Sequence, residues 1–307
     1  LSQFSVPPLS APLVRKTFKK YLGKYPEEVY DTFAKDSINA ASIGQVPKAT
    51  KDGKDLAVKI QYPGVAESIS SDLALVKPIA LRMFNIKGKD SDKYFKEVED
   101  KLVEETNYLL EIAQSQEITK ACSKIEGLKF PEYYPELSSE KIITMDWMTG
   151  KHLSEFVKTP FTQEVGNKLG QTLWDFYMYQ IHGLRKVHAD PHPGNFLIND
   201  KEELIAIDFG CIKELPDSFY TPYFELAKPE NISSDKAFTK TLYDLEILIP
   251  SDSPSDIEFF KGLFHEMLSL FTSPFHHETF DFGDAQFWAK IAELGERFSS
   301  DKGIRKM

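Results

Sequence analysis

The sequence predicts an α+β fold in two lobes, a small β-rich lobe that also carries long helices and a larger helical lobe. Three observations support this expectation. The chain has 307 residues, which is too long for one ordinary hydrophobic core. Short runs rich in β-forming residues occupy positions 32–60, whereas apolar residues at helical spacing prevail from Leu153 onward. We place the boundary after Met148, which gives domains of 1–148 and 149–307.

The composition is typical of a soluble globular protein, with 41% hydrophobic and 27% charged residues. The net charge of −10 disfavours a nucleic-acid partner, because binding to phosphates needs a basic surface. Two cysteines, Cys122 and Cys211, are too few for a disulfide framework. They favour a reducing compartment, either the bacterial cytoplasm or a comparable organelle.

No transmembrane segment is predicted. The most apolar stretch, residues 73–86, contains two basic residues and a proline. Peripheral contact with a membrane stays open, because a local basic or apolar patch can outweigh a net acidic charge.

The first lobe is predicted to begin with an amphipathic helix around residues 13–21. An extended run starts at Thr32, residues 43–49 alternate loosely, and residues 56–60 are rich in β-formers after a turn at 51–54. The order is therefore strand, loop, strand, turn, strand.

Lys59 lies in the third of these strands with apolar residues on both sides, in the order A-V-K-I. An ammonium in such a position needs an anionic partner. The alternative is a surface lysine on an edge strand, because most lysines are exposed.

Residues 37–46 form the predicted loop between the first two strands, where a nucleotide-binding enzyme would carry a glycine-rich phosphate loop. Only one glycine is present, and Ala40 and Ala41 disfavour positive φ and stiffen the loop. Backbone N–H groups at Ala40, Ala41 and Ser42 can still face phosphates.

Residues 90–116 predict one long helix, because apolar residues recur on one stripe at helical spacing. Glu105 falls within that stripe, and a carboxylate on a buried face should meet a cation or a metal. Glu111 lies on an adjoining face, roughly 100–120° away. Either glutamate can pair with Lys59, and the alternative for Glu111 and Glu104 is a solvated face. The apolar stripe consists of Phe95, Val98, Leu102, Leu109 and Ile112.

Residues 141–145 predict a strand that runs into the lobe boundary. The second lobe is predicted to be helical, with a core-facing stripe from Val165 to Ile181. Amphipathic segments at 235–248, 256–270 and 284–298 complete it. Their aromatic side chains are assigned to the core. These aromatic residues include Phe259, Phe260, Phe264, Phe287 and Trp288.

The stretch from His188 to Gly210 carries the residues on which the functional prediction rests. Asp190 precedes Asn195 by five positions, and an apolar run then leads into Asp208, Phe209 and Gly210. This is the order of the kinase loop D-x-x-x-x-N followed by D-F-G. A phosphoryl group leaving ATP spreads charge over oxygens that Mg²⁺ must neutralise, and Mg²⁺ prefers oxygen ligands.

These residue types predict separate roles. Asn195 and Asp208 would hold the metal, and Asp190 would accept a proton from, or orient, the attacking hydroxyl or water. A turn at residues 199–200 between two short strands would bring the loop and Asp208 together in a hairpin. Lys59 would then match the kinase strand lysine that contacts nucleotide phosphates.

His188 and His192 are four positions apart, a spacing that can bind a transition metal on a helix. Pro191 and Pro193 disfavour a regular helix there. We therefore favour an ordinary loop in which His188 hydrogen-bonds and braces the backbone near Asp208.

By these motifs the chain resembles the UbiB/ADCK atypical kinase family, also called the AarF or ABC1-like domain family. Five ordered motifs carry the resemblance, and the helices of the last third carry none. The motifs are NAASIGQV (39–46), VKIQYPGV (58–65), EETNYLLE (104–111), HADPHPGN (188–195) and IDFG (207–210).

The resemblance implies a two-lobed protein-kinase-like fold and Mg²⁺-dependent binding of ATP or ADP. It also implies a link to isoprenoid-quinone biosynthesis, of the ubiquinone type, or to lipid metabolism, with a lipid or quinone precursor as partner. By motif, Lys59 contacts phosphates, Glu111 pairs with it, Asp190 is catalytic, and Asn195 and Asp208 bind metal. Protein phosphorylation is not implied.

A further acidic pair of the family, E-x-D, reaches the active site and matches Glu105 and Asn107, so an amide replaces the second acid. Asn39 interrupts the alanine run. The family's upstream K-x-G-Q helix, which covers the substrate pocket, is expected to be missing because the chain starts just after it. By analogy with kinases, the connector from Met145 to Met148 offers backbone groups to adenine.

A platform for a peptide substrate is not predicted either. There is little room for an activation segment between Gly210 and the helix near Ser218, and no A-P-E motif follows. Ala189 stands where protein kinases often keep an arginine that answers an activation-loop phosphate.

Three classes of function remain at this point. The first is an ATPase or phosphotransferase that acts on a lipid-like small molecule, with the acceptor unknown. The second is a nucleotide-binding pseudokinase that acts as a regulatory or interaction module. The third is a small-molecule kinase of the aminoglycoside or choline type, which shares the D-x-x-x-x-N and D motifs but not the alanine-rich loop.

Overall fold

The computed structural model describes residues 9–41, 43–83, 90–189 and 191–298, and it describes only the backbone of residues 35–41, 82–83, 90–91 and 93–94. The fold is mixed α+β with small, mainly antiparallel sheets, which confirms the predicted fold class. The chain forms two compact units, residues 1–79 with 89–214 and residues 80–88 with 215–307. The lobe boundary after Met148 falls inside the first unit and stays a prediction.

The first unit contains a four-stranded antiparallel sheet in the order β1-β2-β3-β5. Asp52 (φ 50°) and Gly53 (φ 77°) both adopt positive φ between β2 and β3, as a tight type I′ connection requires. The predicted helix, strands and turn are confirmed. The elements are α1 (Ala11–Leu22), α2 (Pro26–Val29), β1 (Thr32–Ala41), β2 (Gly44–Lys51), β3 (Lys54–Gln61) and β5 (Ile142–Asp146).

This sheet and α1 share one hydrophobic core. Val14 and Phe18 of α1 are buried in it, together with Val58 and Ile60 of β3, which are both 0% exposed. Burial contributes roughly 1.5–3 kcal/mol for each large apolar side chain. The core therefore fixes the position of β3, the strand that carries Lys59.

The loop predicted for residues 37–46 is shorter than expected, because β1 continues to Ala41 and β2 begins at Gly44. Backbone pairing persists to the end of this hairpin, where Ala41 lies opposite Gly44. Glycine allows the close approach of the neighbouring strand, since a Cβ at position 44 would overlap the carbonyl oxygen of Ile60.

The single long helix predicted for residues 90–116 is wrong. It breaks at Asn107, whose side chain caps the second helix by accepting a hydrogen bond from a backbone N–H three residues on. The break changes the helical phase, so Leu109 of the predicted stripe is 49% exposed, whereas Tyr108 and Glu111 are buried. The helices here are α3 (Val65–Met83), α4 (Asp90–Glu105) and α5 (Tyr108–Cys122).

A second four-stranded sheet has the order β4-β9-β8-β6, and β7 pairs with β10 separately. β8 and β9 form the predicted hairpin. Its turn is held by Asn199, whose Oδ1 accepts hydrogen bonds from the N–H groups of Lys201 and Glu203 at 3.0 and 2.9 Å. The elements are β4 (Leu128–Lys129), β6 (Lys151–His152), α6 (Leu153–Phe156), α7 (Gln163–Met178), a π-helical turn (Tyr179–Leu184), β7 (Lys186–His188), β8 (Phe196–Ile198), β9 (Leu204–Ala206) and β10 (Ile212–Glu214).

The second unit contains the helices predicted at 235–248, 256–270 and 284–298, and Phe260 and Leu263 lie in its core. Trp288, which was assigned to the core, is 53% exposed, and its Nε1–H donates to the carbonyl oxygen of Phe282 at 2.6 Å. Among the described residues, no helix combines the length and apolarity needed to cross a bilayer. The helices are α8 (Asp217–Leu226), α9 (Pro229–Ile232), α10 (Asp235–Asp244), α11 (Pro254–Thr272) and α12 (Ala285–Phe298).

Candidate active site

Lys59 lies near the centre of β3, opposite Ile143 of β5. β3 is flanked by β2 and β5, and the Lys59 side chain is only 7% exposed. The alternative of a surface lysine on an edge strand is therefore wrong. A buried ammonium is costly without an anionic partner, so the site is defined by what surrounds this nitrogen.

Glu111 in the first turn of α5 provides the carboxylate that pairs with Lys59. Lys59 Nζ donates to Glu111 Oε1 at 2.8 Å and to Oε2 at 3.1 Å. The cap at Asn107 sets the start of α5 and thereby the direction of Glu111. Glu105, the other candidate partner, is the half-buried last residue of α4, and its charge acts on Glu111.

Asp208 brings a second carboxylate to the same ammonium. Its Oδ2 lies 3.7 Å from Lys59 Nζ, and its Oδ1 accepts a hydrogen bond from the Gly210 N–H at 2.9 Å. Phe209 is fully buried against Phe176, with 6.4 Å between ring centroids. The buried ring anchors the segment and holds Asp208 at the edge of the core.

The carboxylates of Glu111 and Asp208 share the single ammonium of Lys59. The pKa values of the three groups reflect this excess of negative charge and their burial. Burial raises the pKa of Glu111 to about 7, with Lys59 opposing the rise and the charge of Asp208 adding to it. Burial lowers the pKa of Lys59, but Asp208 and Glu111 outweigh it and raise that pKa well above its ordinary value. Burial raises the pKa of Asp208, but the Lys59 charge, the hydrogen bond from the Gly210 N–H and the His188 charge together outweigh burial, so the pKa is lowered. With all three ionised, the cluster carries one uncompensated negative charge.

Asn195 lies beside Asp208 through the β8–β9 hairpin. Phe196 is paired with Ala206 in that hairpin, and the Ile207 N–H donates to the carbonyl oxygen of Asn195 at 3.0 Å. The two predicted metal ligands therefore come from adjacent chain segments. An amide and a carboxylate next to a cluster with excess negative charge fit a hard divalent cation.

The other predicted site residues are placed as follows. Asp190 and Ser42 lie outside the described residues. Ala40 and Ala41 are the last residues of β1, with the backbone alone described. Met145 lies in β5, opposite Ala57, and Met148 follows that strand. Catalytic, nucleotide-binding and metal-binding roles stay predictions for all of them and for the cluster.

The two histidines of the predicted loop have different environments. His188 is 3% exposed, and its ring centroid lies 5.6 Å from that of Phe209. His192 is exposed, and its Nδ1 accepts a hydrogen bond from the Gly194 N–H at 3.0 Å. Within the described parts of the chain, no three His, Cys, Asp or Glu side chains are grouped as a metal site requires.

Tyr108 is a site residue that the sequence reasoning missed. It is fully buried, and Lys59 Nζ lies 5.2 Å from the centre of its ring, a distance at which an aromatic face attracts a cation. Tyr108 precedes Glu111 by three positions, so the two share a helix face. That spacing was visible in the sequence, but burial of the face was not.

Residues 2–240 match the family model of the ABC1 atypical kinase-like domain. The chain belongs to the ABC1 atypical kinase-like domain family. The resemblance drawn from the motifs is confirmed, and relatives of this family are named kinases.

Three curated relatives illustrate the distance within the ABC1 family. AarF domain-containing protein kinase 1 of Xenopus laevis is 30% identical over 69% of this chain and 42% of its own length. The atypical kinase COQ8B, mitochondrial, of Danio rerio is 26% identical over 92% and 45%. The chloroplastic protein ACTIVITY OF BC1 COMPLEX KINASE 8 of Arabidopsis thaliana is 25% identical over 87% and 37%. The chain thus spans less than half of each of these relatives.

A solved structure supports the fold of this ABC1 domain. The Rv3197 protein of Mycobacterium tuberculosis, solved in complex with erythromycin, aligns with a TM-score of 0.67 at 24% identity. The alignment covers 98% of this chain and 80% of that protein. At this identity the likeness establishes the shared fold and no shared ligand.

Proposed function

We propose that this ABC1 domain binds a magnesium–nucleotide complex, ATP or ADP, and transfers or hydrolyses the terminal phosphoryl group of ATP. The observation that carries the proposal is the buried cluster in which Lys59 contacts Glu111 at 2.8 Å and Asp208 at 3.7 Å. A strand lysine, a helix glutamate and a D-F-G aspartate in this relation are the parts that phosphoryl transfer requires.

In this proposal Lys59 contacts the nucleotide phosphates and Glu111 holds the lysine in position. Asn195 and Asp208 would hold Mg²⁺, with Glu105 as a further acidic group, and the bound ion would offset negative charge on the phosphate oxygens. Asp190 would accept a proton from the attacking group or orient it.

The backbone supplies the remaining contacts in the same proposal. The end of β1 at Ala40 and Ala41, continued by Ser42, would present N–H groups to the phosphates. The connector from Met145 to Met148 would present backbone groups to adenine.

The phosphoryl acceptor would be water or a small molecule, and a lipid or isoprenoid-quinone precursor is the class that the family resemblance suggests. One observation supports a non-peptide acceptor. Only residues 211–216 separate Gly210 from α8, and Ile212–Glu214 of this stretch already pair with β7. This leaves no long activation segment on which a peptide could lie.

We further propose a reducing compartment for the protein, with peripheral membrane contact left as an outcome of experiment. Cys122 and Cys211 form no disulfide within the described part of the chain, which accords with such a compartment. The net charge of −10 accords with the absence of a nucleic-acid partner.

Nucleotide binding and turnover test the proposed function. Calorimetry with ATP and ADP, with and without Mg²⁺, is combined with phosphate release for the wild type, Lys59→Ala and Asp208→Asn, and for Lys158→Ala as an exposed control. We expect Mg²⁺-dependent binding that both site variants weaken and the control leaves unchanged. Failure of the wild type to bind any magnesium nucleotide would overturn the proposal.

The same experiment separates the alternative classes. Binding without phosphate release, even with lipid or quinone precursors added, would identify a pseudokinase. A mass-spectrometric screen that finds phosphorylated aminoglycoside-like or choline-like products would identify a small-molecule kinase of that type.

A further inference from the structure

A basic cleft lies apart from the Lys59 cluster, between α1 and the segment that joins β3 to α3. Its volume is about 200 Å³, and it is lined by side chains of α1, of residues 61–67 and of Lys141. α1 contains four basic residues and no acidic residue, although the whole chain has a net charge of −10. This local excess of positive charge is concentrated where the chain forms a concavity.

Lys141 supplies a fixed ammonium to this cleft. Its Nζ donates to the side-chain oxygen of Gln61 and to the carbonyl oxygen of Thr106, and Gln61 is 2% exposed and itself donates to the same carbonyl at 3.0 Å. Both acceptors are neutral, and no carboxylate among the described residues forms an ion pair with Lys141. An ammonium has three N–H donors. Two of them hold the Lys141 ammonium in place, and the third is left for a ligand.

Lys16 and Lys20 supply two exposed ammonium groups from the wall of the cleft, and Lys20 Nζ lies 4.7 Å from the centre of the Tyr21 ring. They are four positions apart on α1, and like charges at this spacing repel each other. The neighbouring basic residues are engaged elsewhere, Arg15 with Glu27 and Lys19 with the carbonyl oxygen of Gly23. Lys16 has no hydrogen bond or ion pair within the described parts of the chain, and an anion between the lysines would relieve the repulsion.

The balance of charge favours an anion over a cation. Three lysines line the cleft against one carboxylate, Glu67, although Lys20 also lies within electrostatic range of Glu140. The remaining wall includes the aromatic side chains of Tyr21 and Tyr62. The lysines favour a compact anion such as phosphate, which lysine binds as a point charge. The tyrosine side chains favour a ligand that also carries a short apolar or aromatic part.

We propose that this cleft binds a phosphate group, carried by a small phosphate ester or by a phospholipid head group. The bound oxygens would accept hydrogen bonds from Lys16, Lys20 and Lys141, and the rest of the ligand would contact Tyr21 and Tyr62. The site does not depend on the nucleotide proposal, since none of its residues belongs to the Lys59 cluster.

Calorimetric titration with inorganic phosphate and with glycerol 3-phosphate at low ionic strength tests the proposal. We expect Lys16→Gln and Lys141→Gln each to weaken binding by about tenfold or more, because each removes a charge-assisted hydrogen bond. Lys158→Gln, an exposed lysine outside the cleft, should bind as the wild type does. Phosphate should also shift the amide resonances of Tyr62 and Gly64. Lys16→Gln removes no hydrogen bond or ion pair between described residues, and Lys16 is exposed, so its result stands even if Lys141→Gln unfolds.

Two further arms identify the site and the source of the phosphate. Asp208→Asn, which leaves the buried Lys59–Glu111 pair in place, should retain phosphate binding, which separates this cleft from the proposed nucleotide site. Co-sedimentation with phosphatidylcholine vesicles, with and without phosphatidic acid, tests the lipid source, and lysine-dependent binding to the acidic vesicles alone would assign the cleft to a head group. Equal affinity in all variants, or no binding of phosphate, ester or acidic vesicles, would overturn the proposal.

Discussion

The ammonium of Lys59 lies 2.8 Å from the carboxylate of Glu111, and both side chains are more than nine-tenths buried. Asp208 approaches the same ammonium to 3.7 Å but keeps 37% of its side chain exposed. The pair Lys59–Glu111 is therefore the dehydrated part of the cluster, whereas Asp208 is the part that a ligand can reach. Loss of the two carboxylates should have different consequences.

Removal of the ammonium should destabilise the fold more than removal of its buried partner. Lys59→Met leaves Glu111 buried without a cation, and breaking a buried pair in this way costs about 3–5 kcal/mol. Glu111→Gln should cost about 1–3 kcal/mol, because Asp208 still faces Lys59. Urea unfolding measures both. Lys96→Met, which breaks an exposed pair with Asp100, is the control and should cost less than about 1 kcal/mol. An equal or larger loss for Glu111→Gln would contradict this ranking.

Glu111 should give the folded state a pH dependence opposite to that of most paired carboxylates. Its folded pKa of about 7 lies above the ordinary value of 4.5, so protonation favours folding. Its contribution is fully present below pH 4.5 and is lost as the pH rises through about 7. The upper limit is about 3.5 kcal/mol, because the two pKa values differ by about 2.5 and a difference of one corresponds to about 1.4 kcal/mol.

The measurement compares the free energy of unfolding of the wild type with that of Glu111→Gln at about pH 5 and about pH 8. The wild type should lose stability relative to the variant as the pH rises. Lys59, whose pKa is raised, loses its contribution only as the pH rises through a value above 10.5. Asp208, whose pKa is lowered, loses its contribution only as the pH falls below 3.8. A difference that stays constant over this window would show that Glu111 is ionised throughout.

The cap at Asn107 should tolerate aspartate but not alanine. The Asn107 side chain accepts a hydrogen bond from the Leu110 N–H at 3.2 Å, and removal of an N-cap acceptor costs about 1 kcal/mol. Asn107→Ala should therefore lower the Tm. Asn107→Asp keeps the acceptor and places a negative charge at a helix N-terminus, which favours it.

Asn107→Asp also restores the second acid of the family's E-x-D pair. Mg²⁺ titrations in the presence of nucleotide should show tighter metal binding for this variant than for the wild type. A lower Tm for Asn107→Asp than for Asn107→Ala would show that the added charge, close to Glu105 and Glu111, outweighs the cap.

The sequence predicts the elements whose signals are local. The hairpin that places Asn195 beside Asp208 follows from a turn residue between two apolar runs, and Lys59 follows from its apolar neighbours. Local sequence signals did not decide whether Glu105 or Glu111 pairs with Lys59. The answer depends on the helix break at Asn107, which interrupts an otherwise continuous helical pattern. An N-cap within such a pattern resets the phase of everything after it.

The sequence also did not predict which polar residues, such as Gln61, are buried. Gln61 and Lys141 are polar residues at or next to strand ends, where exposure is the ordinary expectation. Their side chains instead bond to each other, and both donate to the carbonyl oxygen of Thr106, which is distant in the sequence. The loop predicted for residues 37–46 was too long for a similar reason. Backbone pairing between β1 and β2 can persist through residues of low strand propensity.

Substitution of Gly44, the glycine next to the candidate site, should destabilise the fold. A Cβ there would overlap the carbonyl oxygen of Ile60 and lie 3.1 Å from the Tyr108 hydroxyl, so β2 must shift relative to β3, which changes the surroundings of the ring next to Lys59. Gly44→Ala should cost about 1–3 kcal/mol, measured by urea unfolding, and should weaken nucleotide binding if the hairpin holds phosphates. Gly170→Ala is the matched control, because that helical glycine has open space around its Cβ position and alanine should add about 0.5–1 kcal/mol. Unchanged stability in Gly44→Ala would mean that the hairpin is free to move away from β3.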